Sequence, residues 1–163
     1  MADITQIELQ NFDIEIKADG RWFHEGGEIK RIGLVKLFAS VLSCDEDGRY
    51  WLTTPVEKGE IQVQDAPFII TKLRHEGSGA DQCLYLSDNL DRDYKLSADY
   101  PLIMRTQEKG DAKPYLCLDK GLTALIKHPI FYEMAELAIS ADTKTDTGKI
   151  GLWSDGQLFC LEA

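Results

Sequence analysis

Glu57 and Asp65 stand in one turn-rich stretch, TTPVEKGEIQVQDAPF, that runs from Thr53 to Phe68. Two carboxylates that shared a cleft could work as general acid and general base, provided their environments pushed their pKa values apart. The same two side chains could instead hold a cation, and Arg31 is the candidate. A guanidinium offers a forked donor that fits carboxylates and phosphates alike. The stretch therefore admits three chemistries: proton transfer, a structural ion pair, or an anion site built around a paired arginine.

Familiar catalytic patterns are missing. No Gly-x-x-x-x-Gly-Lys-Ser/Thr run is present, and EGSGAD has glycines without the lysine. No serine occupies a Gly-x-Ser-x-Gly elbow. His24, His75 and His128 are widely spaced, unlike the paired histidines of a helical zinc site. Cys44, Cys83, Cys117 and Cys160 form no Cys-x-x-Cys pair and are expected to be reduced, largely buried thiols. No metal and no cofactor is expected. The EGGEI turn could offer free amides to an anion, but Glu25 and Glu28 would repel a phosphate there.

Composition sets wider limits. The chain has 163 residues, 44 % of them hydrophobic and 28 % charged, the balance of a folded soluble domain. A net charge of −10 is poorly suited to duplex DNA or long RNA, whose binding needs a basic footprint. No apolar run approaches a membrane span, and MADITQIELQ has no basic-then-apolar signal pattern, so a cytoplasmic location is expected.

These side chains must be positioned by short elements. The Asp19-Gly20 and Asp155-Gly156 pairs predict tight hairpins joining FDIEIK to RWFH and KIGLW to QLFCL. Asp47-Gly48 is read as the end of a helix and the start of the strand RYWLTT. EIKRIGLVKLFASVLS carries helical periodicity, with Val35, Phe38 and Leu42 along the centre of its apolar face. On that wheel Arg31 falls near the middle of the same face. Burial would oblige it to pair, and Glu57 and Asp65 are the expected partners.

GLTALIKHPIFYEMAELAIS reads as a short helix ending near Lys127 and a second helix with Pro129 in its first turn. IQVQ, FIITKL, QCLYL, LIMRT and YLCL read as strands. The whole predicts an α+β fold with mainly antiparallel strands, in two related halves, 1–76 and 77–163, divided in the RHEGSGAD loop.

Four ordered blocks, WFHEGGEIKRIGLVKLF, LTTPVEKGEIQVQDAPF, KPYLCLDKGLTALI and IGLWSDGQLF, resemble the bacterial family of unknown function numbered 1285. The resemblance covers about Trp22 to Phe159. It implies a domain duplication whose second half is superficially like a pleckstrin-homology fold, and a nucleotide-like ligand in a cleft between the halves. It also implies a part in signal transduction or stress response, with no enzymatic activity established for the family. Motif positions carried over are Trp22, His24, Arg31, Thr54, Pro55, Glu57, Asp65, Pro67 and Phe68, then Pro114, Tyr115, Gly121, Leu122, Tyr132, Trp153 and Phe159. Arg105 joins them from the strand LIMRT.

The expectation is a non-enzymatic ligand-binding or regulatory protein. Its candidate ligand-binding residues are Trp22, His24, Arg31, Thr54, Glu57, Asp65, Arg105 and Tyr115. Trp22 or Tyr115 would stack a base, and Arg31 or Arg105 would meet an anionic group. Two alternatives stand beside it: a protein–protein interaction module, and a small hydrolase or transferase using Glu57 and Asp65.

Overall fold

A computed structural model describes residues 8–163. The chain forms two compact units. The first ends at Pro67 and also takes in Lys120–Leu122; the second holds Phe68–Asp119 and Thr123–Ala163.

The N-terminal unit is a six-stranded sheet with one helix. Its elements are β1 (Glu8–Ile16), β2 (Trp22–His24), β3 (Gly27–Glu28), α1 (Ile32–Ser40), β4 (Leu42–Cys44), β5 (Tyr50–Thr53) and β6 (Glu57–Val63). The strand order is β3-β2-β1-β6-β5-β4. β1 and β6 run parallel, and every other neighbouring pair in this sheet is antiparallel. Register places Ile16 opposite Trp22 and Leu42 opposite Leu52, so their side chains share a face. These four, with Ile14, Ile61 and the helix residues Val35 and Ala39, are buried as the core of this unit.

The helix is shorter than its periodicity predicts. Glu28 belongs to β3, and Leu42–Cys44 forms β4, so only the nine residues Ile32–Ser40 are helical. The chain is turned at Asp45, whose carboxylate accepts the amides of Asp47 (3.0 Å) and Arg49 (2.9 Å). Asp47-Gly48 is thus a β4–β5 hairpin turn, not the end of a helix. EGGEI is likewise a hairpin rather than a strand-to-helix turn: Glu25 and Gly26 both have positive φ, 51° and 83°, as a two-residue turn between β2 and β3 requires. Leu34 and Leu37 of α1 are exposed.

The C-terminal unit repeats the theme. It contains β7 (Phe68–Glu76), β8 (Cys83–Asp88), β9 (Asp93–Lys95), β10 (Leu102–Thr106), β11 (Ala112–Cys117), β12 (Thr123–Ile126), α2 (His128–Ser140), β13 (Gly151–Ser154) and β14 (Gln157–Cys160). Its six-stranded sheet has the order β10-β11-β12-β7-β8-β9, again with one parallel pair, β12 and β7. β13 and β14 form a separate hairpin. Phe68, Ile69 and Ile70 are all buried, the continuous apolar run of a central strand. α2 carries Pro129 in its first turn, where the missing N–H costs nothing. Ile130, Met134 and Ala138 form its buried stripe.

Two further expectations are corrected here. The stretch before Lys127 is the strand β12, because Leu125 and Ile126 pair with Ile69 and Ile70. The chain also passes between units at Pro67–Phe68, one strand earlier than the 76/77 boundary, because β7 is an inner strand of the second sheet. The duplication and the α+β class stand: two similar halves, each a mostly antiparallel six-stranded sheet with few helices.

Candidate functional site in the N-terminal unit

Opposite Glu60 and Gln62, the register of β1 slips: Asn11 pairs with Glu60 and Glu15 with Gln62. Phe12, Asp13 and Ile14 therefore face the single residue Ile61, and β1 bulges. Bulges of this kind bend a strand and re-aim its side chains. The ring of Phe12 settles against Gly59 of β6, where no side chain competes for the space.

The bulge forms one wall of a concavity of about 460 Å³. Asn11, Phe12, Asp13 and Ile14 come from the bulge, and His24 and Glu25 from the β2–β3 turn. Phe38 and Val41 come from the end of α1, Leu52 from β5, and Thr54 and Glu57 from the turn that opens β6. The walls are tied together by main chain and side chain. The Glu25 amide donates to the Asp13 carbonyl (2.9 Å), holding the hairpin turn on the bulge. Thr54 Oγ1 accepts the Glu57 amide (3.1 Å), and the Thr54 amide donates to the Glu57 carbonyl (2.8 Å). This threonine turn, with Pro55 inside it, aims the first residue of β6.

The floor is apolar, with Ile14 and Leu52 buried and Phe38 half-buried. The rim is acidic. Asp13, Glu25 and Glu57 are exposed carboxylates, and no lysine or arginine is among the described residues lining the concavity. His24 Nε2 lies 3.9 Å from Glu25 Oε1, and Gln10 Nε2 donates to Glu57 Oε1 at 3.4 Å.

Of the eight candidate residues, His24, Thr54 and Glu57 meet at this concavity. Trp22 stands behind it, 2 % exposed, with its ring stacked on Phe38 at 6.2 Å between centroids. It supports the wall and is closed to a stacking ligand. Arg31 precedes the helix in extended conformation and is exposed, so it is not on the apolar face. Among the described residues it forms no ion pair, and the expected Arg31–Glu57 pairing is replaced by Gln10–Glu57.

Asp65 lies beyond the far end of β6 from Glu57. At about 3.3 Å per residue, β6 alone puts roughly 20 Å of backbone between Glu57 and Val63, and Asp65 follows in the bend beyond it. An acid–base couple between them is therefore ruled out by geometry. Arg105 and Tyr115 belong to the C-terminal unit, where the guanidinium lies 4.8 Å from the ring centre. Tyr115 is 1 % exposed and, like Trp22, cannot stack an incoming base.

Reading from the sequence overlooks the bulge residues Asn11 to Ile14 and the wall residues Phe38, Val41 and Leu52. One signal was available: Gly59 interrupts an otherwise regular strand, and a glycine there marks close approach by another group. A smaller depression of about 290 Å³ in the C-terminal unit is lined by Leu73, His75, Glu133, Glu136, Leu137 and Ser140. Among the described residues no cluster of histidine, cysteine and carboxylate side chains is placed to hold a metal ion.

Residues 7–66 match the family model described as "Domain of unknown function (DUF1285), N-terminal domain". Residues 67–161 match "Protein of unknown function (DUF1285), C-terminal domain". The chain belongs to the DUF1285 family. Two solved DUF1285 structures are similar to it. One, from Silicibacter pomeroyi DSS-3, is 33 % identical with a TM-score of 0.86, covering 97 % of this chain and 84 % of that one. The other, from Shewanella baltica OS155, is 27 % identical with a TM-score of 0.63, covering 80 % of this chain and 96 % of that one. No curated protein matches. Among the described residues of this DUF1285 protein, no helix is long and apolar enough to cross a membrane.

Proposed function

We propose that this DUF1285 protein is a non-enzymatic binding protein of the cytoplasm, a sensor or regulator that seats a small organic ligand in the concavity of its N-terminal unit. One observation carries the reading. His24 comes from β2, Thr54 and Glu57 from the turn that opens β6, and all three line one apolar-floored concavity of about 460 Å³. That size lies within the usual range for small-molecule sites, and a few polar groups over an apolar floor is their usual chemistry.

Catalysis is disfavoured by the separation of Glu57 from Asp65 along β6. A signalling or stress role would follow from ligand-dependent stabilisation. The nucleotide-like class implied by the family resemblance belongs in the first screen, alongside amines and neutral metabolites.

The test is a thermal-shift screen of the full chain against such a panel, repeated on Asn11→Trp. Asn11 is exposed at the concavity and makes no side-chain hydrogen bond to another described residue, so an indole there fills the mouth while sparing the core. A ligand at a hundred times its Kd adds roughly 2.7 kcal/mol of stability. The expected result is a reproducible rise in Tm for one chemical class that Asn11→Trp abolishes while its own Tm holds. A shift unaffected by Asn11→Trp would move the site elsewhere.

A further inference from the structure

Several carboxylates away from the concavity are each paired with an arginine. Asp19 is paired with Arg21 at 2.7 Å, Glu60 with Arg49 at 2.7 Å, Glu76 with Arg74 at 2.6 Å and Asp88 with Arg92 at 2.8 Å. Among the described residues lining the concavity there is no such arginine. Among the described residues, Glu57 is met by the neutral amide of Gln10 and Glu25 by the His24 imidazole, with no lysine or arginine on either. Among the described residues, Asp13 makes no side-chain hydrogen bond or ion pair. Three elements thus bring three acidic groups to one mouth with no lysine or arginine among the described residues that line it, over a floor that contains the half-buried ring of Phe38.

Taking the concavity as the ligand site, as proposed above, we infer that its ligand is an organic cation: an amine or quaternary ammonium group on a compact apolar body. The body replaces water over Ile14, Phe38 and Leu52, where burial of apolar area is favourable. The charged end sits at the mouth, where Asp13, Glu25 and Glu57 supply the counter-charge the protein itself does not. Phe12 and Phe38 present ring faces or edges to the same space, and a cation over an aromatic face gains further attraction. A phosphate would meet three like charges at that mouth, which is the repulsive element that gives a site its selectivity.

The experiment is a titration of the isotope-labelled full chain, followed by amide NMR, with probes on one aromatic body. These are benzyltrimethylammonium, benzyl alcohol and phenylacetate, with adenosine monophosphate added. The cation is expected to shift the amides of Asn11–Ile14, His24 and Glu25 and to bind at least tenfold more tightly than the alcohol, with phenylacetate and the nucleotide weaker still. In the double variant Asp13→Asn, Glu57→Gln, checked for an unchanged Tm, the tenfold preference should collapse while the alcohol binds as before.

Phenylacetate or the nucleotide binding at those amides as tightly as the cation would overturn the ligand class and leave the site standing. Shifts from the cation spread evenly over the acidic surface would overturn it as mere charge attraction. No probe moving those amides would remove the class and the site together.

Discussion

Phe12 packs directly on Gly59, in the space that a β-carbon at position 59 would need. The glycine is there for room, since its backbone is an ordinary strand conformation, and Phe12 reaches it only because β1 bulges. Gly59→Ala should therefore push the ring off β6 and cost about 1–3 kcal/mol, the usual range for overpacking. Denaturant melts of Gly59→Ala and of Gly59→Ala combined with Phe12→Ala check this. The two changes should be strongly non-additive, because removing the ring removes the clash.

Trp22 gives a second prediction. Its indole is buried against Phe38, and its Nε1 has no hydrogen-bond partner among the described residues. A change to phenylalanine keeps much of the ring and surrenders no hydrogen bond, so the cost should stay within roughly 1.5 kcal/mol. Trp22→Ala should cost about 3–5 kcal/mol through the cavity it leaves. Equal losses for the two variants, measured by urea unfolding, would show that the indole N–H is engaged in solution.

The β4–β5 turn responds to acid. The Trp51 Nε1–H, at 2.9 Å, and the amides of Arg49 and Asp47 hold the Asp45 carboxyl below the usual carboxylate range. A carboxylate with a depressed folded pKa contributes stability that is fully present above its unfolded pKa. That stability is lost as pH falls through the folded value. Asp45→Asn should therefore lower Tm at neutral pH and flatten its decline below about pH 4, the normal range for an aspartate. Tm profiles of the two proteins that stay parallel from pH 7 to pH 2.5 would contradict this.

Arg31 stands outside the helix and exposed. Arg31→Ala should change stability by no more than about 0.5 kcal/mol, as surface substitutions generally do. A loss of several kcal/mol in a chemical melt would restore the buried-pair reading.

Local chemistry was legible in the sequence, and non-local pairing was not. Two aspartate–glycine pairs mark the β1–β2 and β13–β14 hairpins, because few other residues tolerate positive φ there. Pro129 marks the start of α2. The helical wheel misplaced Arg31 because it treated sixteen residues as one helix. Strand pairing claims both ends of that stretch, with Glu28 opposite Phe23 and Leu42 opposite Leu52. The parallel pairs β1–β6 and β12–β7 join residues far apart in sequence and leave no periodic mark. The concavity depends on the first of these pairs, through the slip in its register. Three of its residues could be named from the motif blocks, and its bulge could not.

The N-terminal unit includes Lys120–Leu122, which the chain reaches only after β7 to β11. Lys120 Nζ donates to the Ser40 carbonyl at 3.1 Å, at the negative end of α1, and a β-carbon on Gly121 would collide with the Cys44 carbonyl. On the ribosome, then, the first unit is complete only after residues 120–122 have been made. A nascent chain stopped at the boundary of the two family domains still lacks the residues that close off α1 and β4. The first unit draws three of its residues from beyond the second domain's opening strands, so a fragment made by cutting between the family domains lacks part of the unit it was meant to isolate.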